Sequence, residues 1–297
     1  MRRYFALMFL SLASLAAAQS GTFVTYTTSW NGLTRQYSVY TPLVLQRPPA
    51  LVVALHGTSN TAPSAPPITV CTNGMGWTAL ADVYGFVVLC PISTWKPISG
   101  RPGAFFWQSY GTDTYFPVTP DDSGFLRSLI LQMEAQGGVD PTQVFVMGFS
   151  SGGMMAHRAC IDSADLIAAC AVLSGPAWIG NSSVQLPALK QRVSLLEMHG
   201  DADVTIPYCG GKFLGWGEGA LNVPSVDFDL NYWLTADGLP ANTMPLCTAG
   251  VPSGFRIRTI GNGVEIQFVR ELNFAHTYKP TTVAAVWEFL SNHAKGN

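Results

Sequence analysis

Val144-Phe145-Val146-Met147-Gly148-Phe149-Ser150-Ser151-Gly152-Gly153-Met154-Met155-Ala156-His157-Arg158 is the stretch that decides the fold. The apolar run Val144 to Met147 reads as a buried strand, and the residues after Gly152 read as a helix. Between them stands G-x-S-x-G, the sharp strand-to-helix turn called a nucleophile elbow. Such a turn lifts a serine hydroxyl above the edge of a sheet, and the two glycines leave room for a tightly bent backbone. Ser150 is therefore the expected nucleophile.

Working outward, residues 21–28 and 34–41 alternate polar and apolar around Asn31-Gly32, the pattern of an antiparallel hairpin. Ala50 to Leu55 is a continuous apolar run, as expected of a buried parallel strand. Further strands are expected at Phe86–Leu89, Ile167–Leu173, Ser194–Met198, Phe255–Ile260 and Val264–Val269. Helices are expected at Trp77–Tyr84, Ser123–Gln136 (capped by Asp121 or Asp122), Val226–Ala236 and Val283–Asn292. Strands alternating with helices give an α/β fold with a mostly parallel central sheet covered by helices on both faces. With the elbow, this is the α/β-hydrolase arrangement. Thr58 to Thr69, rich in Pro, Ser and Thr, reads as a surface loop over the site.

A serine hydroxyl is a poor nucleophile at neutral pH and needs a base, for which histidine is suited. A carboxylate then fixes the tautomer of that histidine, and in this fold the chain order is Ser, acid, His. Of the five histidines, His56, His157 and His199 come too early, and His293 near the end of the last helix reads as solvated. His276 is the expected base. In His199-Gly200-Asp201-Ala202-Asp203-Val204-Thr205-Ile206-Pro207-Tyr208, Asp203 is the expected acid, with Asp201 as runner-up and His199 as a buried structural residue. Asp227 and Asp229 read as residues that begin a helix. The oxyanion hole is expected from the N–H groups of Thr58 and Ser151. Trp107, in the aromatic stretch Phe105 to Tyr110, is a candidate substrate contact, with Trp216 as a weaker second.

Composition sets the outer bounds. Arg2-Arg3, the apolar run Tyr4 to Leu15 and Ala16-Ala17-Ala18 read as a signal peptide over residues 1–18. One catalytic domain over 19–297 and export to the cell exterior are expected, with no later run of membrane-spanning length and no tether to a second module. The net charge of −2, without a basic cluster, argues against a nucleic-acid partner. No C-x-x-C or H-x-x-x-H occurs, so no metal site is expected. Six cysteines in an exported chain point to disulfides. Cys209 with Cys247 is the first pairing expected, then Cys160 with Cys170, leaving Cys71 and Cys90. Asn181-Ser182-Ser183 is a glycosylation sequon.

Six blocks in order carry a resemblance: LVVALHGT at 51–58, GWTALADVYGFVVLCP at 76–91, DDSGFLRSLI at 121–130, VDPTQVFVMGFSSGGMMAHRAC at 139–160, HGDADVTIPYCGG at 199–211 and AHTY at 275–278. They resemble the secreted esterase family that joins feruloyl (cinnamoyl) esterases, acetylxylan esterases and polyhydroxybutyrate depolymerase-type esterases. The resemblance implies hydrolysis of carboxylic esters without metal or cofactor, with Ser150, Asp203 and His276 as triad. Together with the aromatic loop Phe105 to Tyr110, it puts a hydroxycinnamate ester of plant cell-wall polysaccharide first among substrates, with polyester and acetylated xylan next. Tyr278, beside the expected base, joins Trp107 as a candidate substrate contact. The chain departs from the family at Asn273-Phe274-Ala275-His276, where a Gly-rich segment is usual. It departs again at Phe106, where a Cys often precedes the loop Trp, and at Gly238-Leu239, where a Gly-Cys pair is common. A reading of another class is a secreted polysaccharide-binding protein that keeps the scaffold without catalysis.

Overall fold

A computed structural model describes residues 21–67, 75–98, 101–111, 120–180, 185–213, 222–243, 245–247 and 256–296. The signal peptide, Cys71, the sequon at Asn181 and Trp216 lie outside them.

The chain enters through the hairpin of β1 (Thr22–Trp30) and β2 (Leu33–Thr41), turned by Asn31 and Gly32 at φ of 48° and 77°. Two positive φ values in a two-residue loop are what Asn-Gly supplies. The buried strands follow as β3 (Leu51–Leu55), β4 (Val87–Pro91), β7 (Val144–Phe149), β8 (Ala169–Leu173) and β9 (Ser194–Gly200). The hairpin of β12 (Arg256–Gly261) and β13 (Val264–Glu271) completes a sheet that has nine strands among the described residues, in the order β1-β2-β4-β3-β7-β8-β9-β13-β12. Pairs from β4 through β13 are parallel, and the two outer hairpins and β2–β4 are antiparallel.

Alternation along the strands divides the core. Leu51, Val53 and Leu55 face one layer, built on α2 (Asp122–Ala135), α3 (Ser151–Asp162) and α4 (Val226–Ala236). Val52 and Ala54 face the other, built on α1 (Trp77–Tyr84) and α5 (Pro280–Ser291). Strands buried on both faces are why these runs are continuously apolar. Trp287 of α5 stacks on Phe86 with centroids 4.1 Å apart, closing the second layer. Asp121 caps α2, accepting the Gly124 N–H at 2.8 Å.

Three features differ from expectation. A small hairpin, β5 (Thr94–Ile98) with β6 (Arg101–Phe106), precedes the aromatic stretch. Its Pro, Gly and Lys content hides the alternation of a strand. A two-residue pairing, β10 (Gly211–Lys212) with β11 (Asn222–Val223), is too short to carry any pattern. The third is a correction: Cys209 and Cys247 are free thiols, and the Cys247 Sγ lies 3.9 Å from the Tyr208 carbonyl. Cys160 and Cys170 are bridged as expected, joining α3 to β8, and Cys90 is also disulfide-bonded.

Candidate active site

The elbow is built by backbone crowding. A side chain on Gly148 would overlap the Gly152 carbonyl, and one on Gly152 would overlap the carbonyl of Leu55. Only glycine lets β7, α3 and the end of β3 approach so closely. Ser150 sits between them at φ 56°, ψ −121°, a conformation an L-residue adopts only when its surroundings force it. The forcing contacts are the Ser150 N–H to Leu173 carbonyl bond at 2.9 Å and the start of α3.

Three side chains meet across 126 residues of sequence. His276, between β13 and α5, places Nε2 2.8 Å from Ser150 Oγ and Nδ1 2.6 Å from Asp203 Oδ2. A carboxylate only accepts, so Nδ1 carries the proton and Nε2 keeps the lone pair that faces the serine. The His276 ring lies against Phe149, with centroids 4.9 Å apart. Asp203 has a fully buried side chain. Burial pushes its carboxyl up, but hydrogen bonds from His199, His276 and the Ile206 N–H outweigh that and hold it well below the carboxylate range. Its Oδ1 accepts the Thr205 and Ile206 N–H groups at 2.9 and 2.8 Å.

Asp201 has a different task. It pairs with Arg270 at 2.9 Å and accepts the Asn273 N–H, fixing the loop that carries His276. His199 is buried as expected, yet it also serves the acid. Its Nε2 lies 3.0 Å from the Ile206 carbonyl and 3.4 Å from Asp203 Oδ2, so it closes the acid loop. The i,i+4 spacing of His199 and Asp203 is the signal that could have found it. His293 is part-buried rather than solvated, with Nδ1 2.7 Å from the Phe289 carbonyl and Nε2 3.4 Å from Glu265.

The loop after β3 reaches the nucleophile. A side chain on Gly57 would stand 3.4 Å from the Ser150 Cβ. His56 is buried and accepts the Ser93 N–H on Nε2 at 3.1 Å, so its proton is on Nδ1, 2.6 Å from the Gly57 carbonyl. Burial lowers its pKa to about 4, against opposing effects from the Gly57 bond and Asp122, which keeps the ring neutral. A planar trans peptide points its N–H away from its C=O, so a clamp on the Gly57 carbonyl also aims the Thr58 N–H. Phe105 and Ser59 exchange backbone bonds at 2.8 and 3.1 Å and hold the far side of the loop.

Trp107 requires a correction. It is fully buried, and its indole N–H donates to the His56 carbonyl at 2.8 Å. The ring is sealed from substrate and supports the loop. The stretch around it is held from beneath by the buried Arg35–Asp122 pair at 2.7 Å, with Asp122 accepting the Gln108 N–H at 2.6 Å. Tyr278 remains half-buried, edge-on to Phe149 at 5.0 Å. Among the described residues one group of three metal-ligand side chains occurs, His157 with Glu197 and Asp229, and it lies inside the protein.

The family model for phospholipases and carboxylesterases matches residues 120–214, the span from α2 through the elbow to the acid loop. A bifunctional acetylxylan esterase/xylanase of Neocallimastix patriciarum is 28% identical over 262 residues, covering 88% of this chain and 33% of that protein. Feruloyl esterase B of Neurospora crassa is 30% identical over 173 residues, covering 57% of this chain and 54% of that protein. A poly(3-hydroxybutyrate) depolymerase of Ralstonia pickettii is 31% identical over 133 residues, 43% of this chain and 25% of that protein. The chain thus spans between a quarter and about half the length of these relatives. The structure of an acetyl xylan esterase from Aspergillus awamori superposes with a TM-score of 0.62 at 20% identity, covering 91% of this chain and 99% of that one. Elbow, strand order and the superposed structure agree on an α/β-hydrolase fold, and in sequence the chain is similar to acetylxylan esterases, feruloyl esterases and polyhydroxybutyrate depolymerases.

Proposed function

We propose that the protein is an exported serine carboxylic-ester hydrolase acting on acyl groups carried by plant cell-wall polysaccharide. The observation that carries this reading is the unbroken line from Ser150 Oγ through His276 to Asp203 at 2.8 and 2.6 Å. His276 Nε2 takes the hydroxyl proton as Oγ attacks the ester carbonyl. The Thr58 and Ser151 N–H groups hold the resulting oxyanion. His276 returns the proton to the leaving alcohol, and water, deprotonated by the same nitrogen, then frees the acid. Ser150, His276 and Asp203 are the catalytic residues of this proposal.

The sealed Trp107 removes one support for a hydroxycinnamoyl substrate, leaving the likeness to feruloyl esterase B. Acetyl groups on xylan gain ground, since the Neocallimastix relative matches along 88% of the chain. The signal peptide at 1–18 and the single domain over 19–297 belong to the same proposal. No helix among the described residues is long and apolar enough to cross a membrane.

The test is release of acetate from acetylxylan, of ferulate from feruloylated arabinoxylan and of hydroxybutyrate from polyhydroxybutyrate, by wild type and Ser150→Ala. Release of acetate or ferulate by wild type alone supports the proposal and names the acyl group. Release only from the polyester would move the substrate off the cell wall. Silence on all three, without labelling by a fluorophosphonate, would turn the reading to a binding protein.

A further inference from the structure

His157 of α3, Glu197 of β9 and Asp229 of α4 meet inside the protein. Each is at most 1% exposed, and their candidate ligand atoms lie within 4.8 Å of one another. Among the described residues, His157 Nε2 and both Glu197 oxygens have no hydrogen-bond partner. Asp229 Oδ1 accepts the Ala177 N–H at 3.2 Å. Two carboxyls and an imidazole with unfilled valences are the usual makings of a zinc or similar divalent-metal centre.

The hydrogen bonds decide against a metal. Trp233, one turn after Asp229 on α4, lies with its Nε1–H 2.9 Å from His157 Nδ1. An indole N–H can only donate, so Nδ1 holds a lone pair and the neutral ring bears its proton on Nε2. A metal on Nε2 needs the opposite tautomer, which would set the Nδ1–H against the indole N–H. Burial keeps the ring uncharged, lowering its pKa to about 3 against the weaker opposing influence of the Gly175 backbone. What remains is one N–H facing two carboxyl groups, with no Lys or Arg paired to either among the described residues. Two such groups in a dry interior cannot both be ionised. A proton on one of them supplies the missing O–H donor.

We infer that His157, Glu197 and Asp229 form a buried proton-binding site that fastens α4 to α3 and β9 while it holds its proton. The groups that face it are few. From α3 it is His157; from β9, Glu197 and then His199 two residues on; from the acid loop, Tyr208; from α4, Asp229 with the indole of Trp233; from the segment after β8, the Gly175 backbone and the uncharged Ala177 N–H. Burial, with Asp229 adding to it, raises Glu197 well above the carboxylate range. Burial pushes Asp229 up to about 8, with the Ala177 N–H opposing.

The sign follows. A raised carboxyl keeps in the fold a proton that the unfolded chain loses above about pH 4. Stability therefore falls as pH rises from there through the folded value, and each such proton makes the unfolding constant climb about tenfold per pH unit. The Trp233 and His157 bonds persist, but the carboxyls come to repel.

The experiment compares full-length wild type with Glu197→Gln and Asp229→Asn by urea unfolding between about pH 5 and pH 8. Glutamine is the neutral shape of protonated glutamate and keeps an N–H donor. The expected result is a slope against pH lower by about one proton in Glu197→Gln, tenfold per pH unit, and a protonated-carboxyl infrared absorption at neutral pH that is weaker in this variant than in wild type by about one group, Asp237 contributing equally to both. Added Zn²⁺ leaves wild-type stability unchanged. Equal slopes in wild type and both variants overturn the inference. So does about one tightly bound zinc per chain whose removal lowers stability. Should Glu197→Gln fail to fold, the loss of one protonated-carboxyl absorption from wild type to Asp229→Asn decides, and an undiminished absorption overturns the inference. None of this depends on the esterase reading.

Discussion

Replacing His56 with alanine tests the aim of the oxyanion amide. The side chain touches no substrate in the proposed mechanism. It bridges Ser93 N–H and the Gly57 carbonyl at 3.1 and 2.6 Å, and its ring lies 5.1 Å from that of Trp107. His56→Ala leaves a buried Ser93 N–H unpaired, which costs about 1–3 kcal/mol. The lost ring adds a cavity, so total destabilisation of about 2–4 kcal/mol is expected. The catalytic effect is separate. Without its clamp the Gly57–Thr58 peptide is free to rotate, and the Thr58 N–H leaves the line of the developing charge. Loss of one oxyanion donor costs about 10²–10³ in kcat. Because the oxyanion exists only after attack, KM should move by less than about threefold.

The assay is hydrolysis of p-nitrophenyl acetate at a temperature where circular dichroism shows the variant folded, with active sites counted by a phosphonate. The expected outcome is a full count of sites and a kcat down by about 10². A folded variant with wild-type kcat would refute the clamp, and with it the assignment of Thr58. Wild type carries a pH signature of the same group. A buried histidine with pKa lowered to about 4 stays neutral while the unfolded chain takes up a proton below about 6.5. Its share of stability is therefore lost as pH falls from about 6.5 towards 4, and His56→Ala should lack that share in urea unfolding.

Asp203→Asn should lower kcat by about 10⁴, since an amide presents the wrong partner to His276 Nδ1, whereas Asp201→Asn, which only loosens the Arg270 pair, should cost less than about tenfold. A comparable loss in both would misplace the acid. Trp107→Phe should lower kcat on acetyl and feruloyl esters alike, by about tenfold through the lost bond to the His56 carbonyl, because the ring is sealed. A loss confined to feruloyl esters would show that the ring reaches the substrate. Asp237 is buried with Oδ2 unpaired, and burial pushes its carboxyl up to about 7. The fold thus holds a proton that the unfolded chain gives up above about pH 4, and stability falls as pH rises towards 7. Asp237→Asn should raise the melting temperature at about pH 8 and leave it nearly unchanged at about pH 4.

What could be read from the sequence, and what could not, divides by the range of the interaction. The elbow, α1 and α4 were legible because local pattern and burial agree: α1 spans Trp77–Tyr84 and α4 spans Val226–Ala236, both as expected. Chain order in this fold is a topological constraint, and the geometry brings together the three residues that this order selects. Trp107 misled because an aromatic beside polar residues looks the same whether it faces solvent or props a loop. Only the fold brings its N–H to the carbonyl of a residue 51 positions earlier. Asp229 misled for a related reason. A carboxylate in the first turn of a helix normally needs nothing beyond the helix dipole. Here the same helical turn that exposes Asp227 to the backbone of Leu246 and Cys247 directs Asp229 inward to Glu197. The spacing carries the difference, since two positions apart on a helix lie on nearly opposite faces and Asp229 shares the face of Val226 and Trp233. It arises from which face α4 turns to β9, and Leu230, Trp233 and Leu234 settle that face by burial. A hydrophobic stripe thereby commits a charged residue to the interior, and the proton on the Glu197–Asp229 pair is the chemical consequence of that packing.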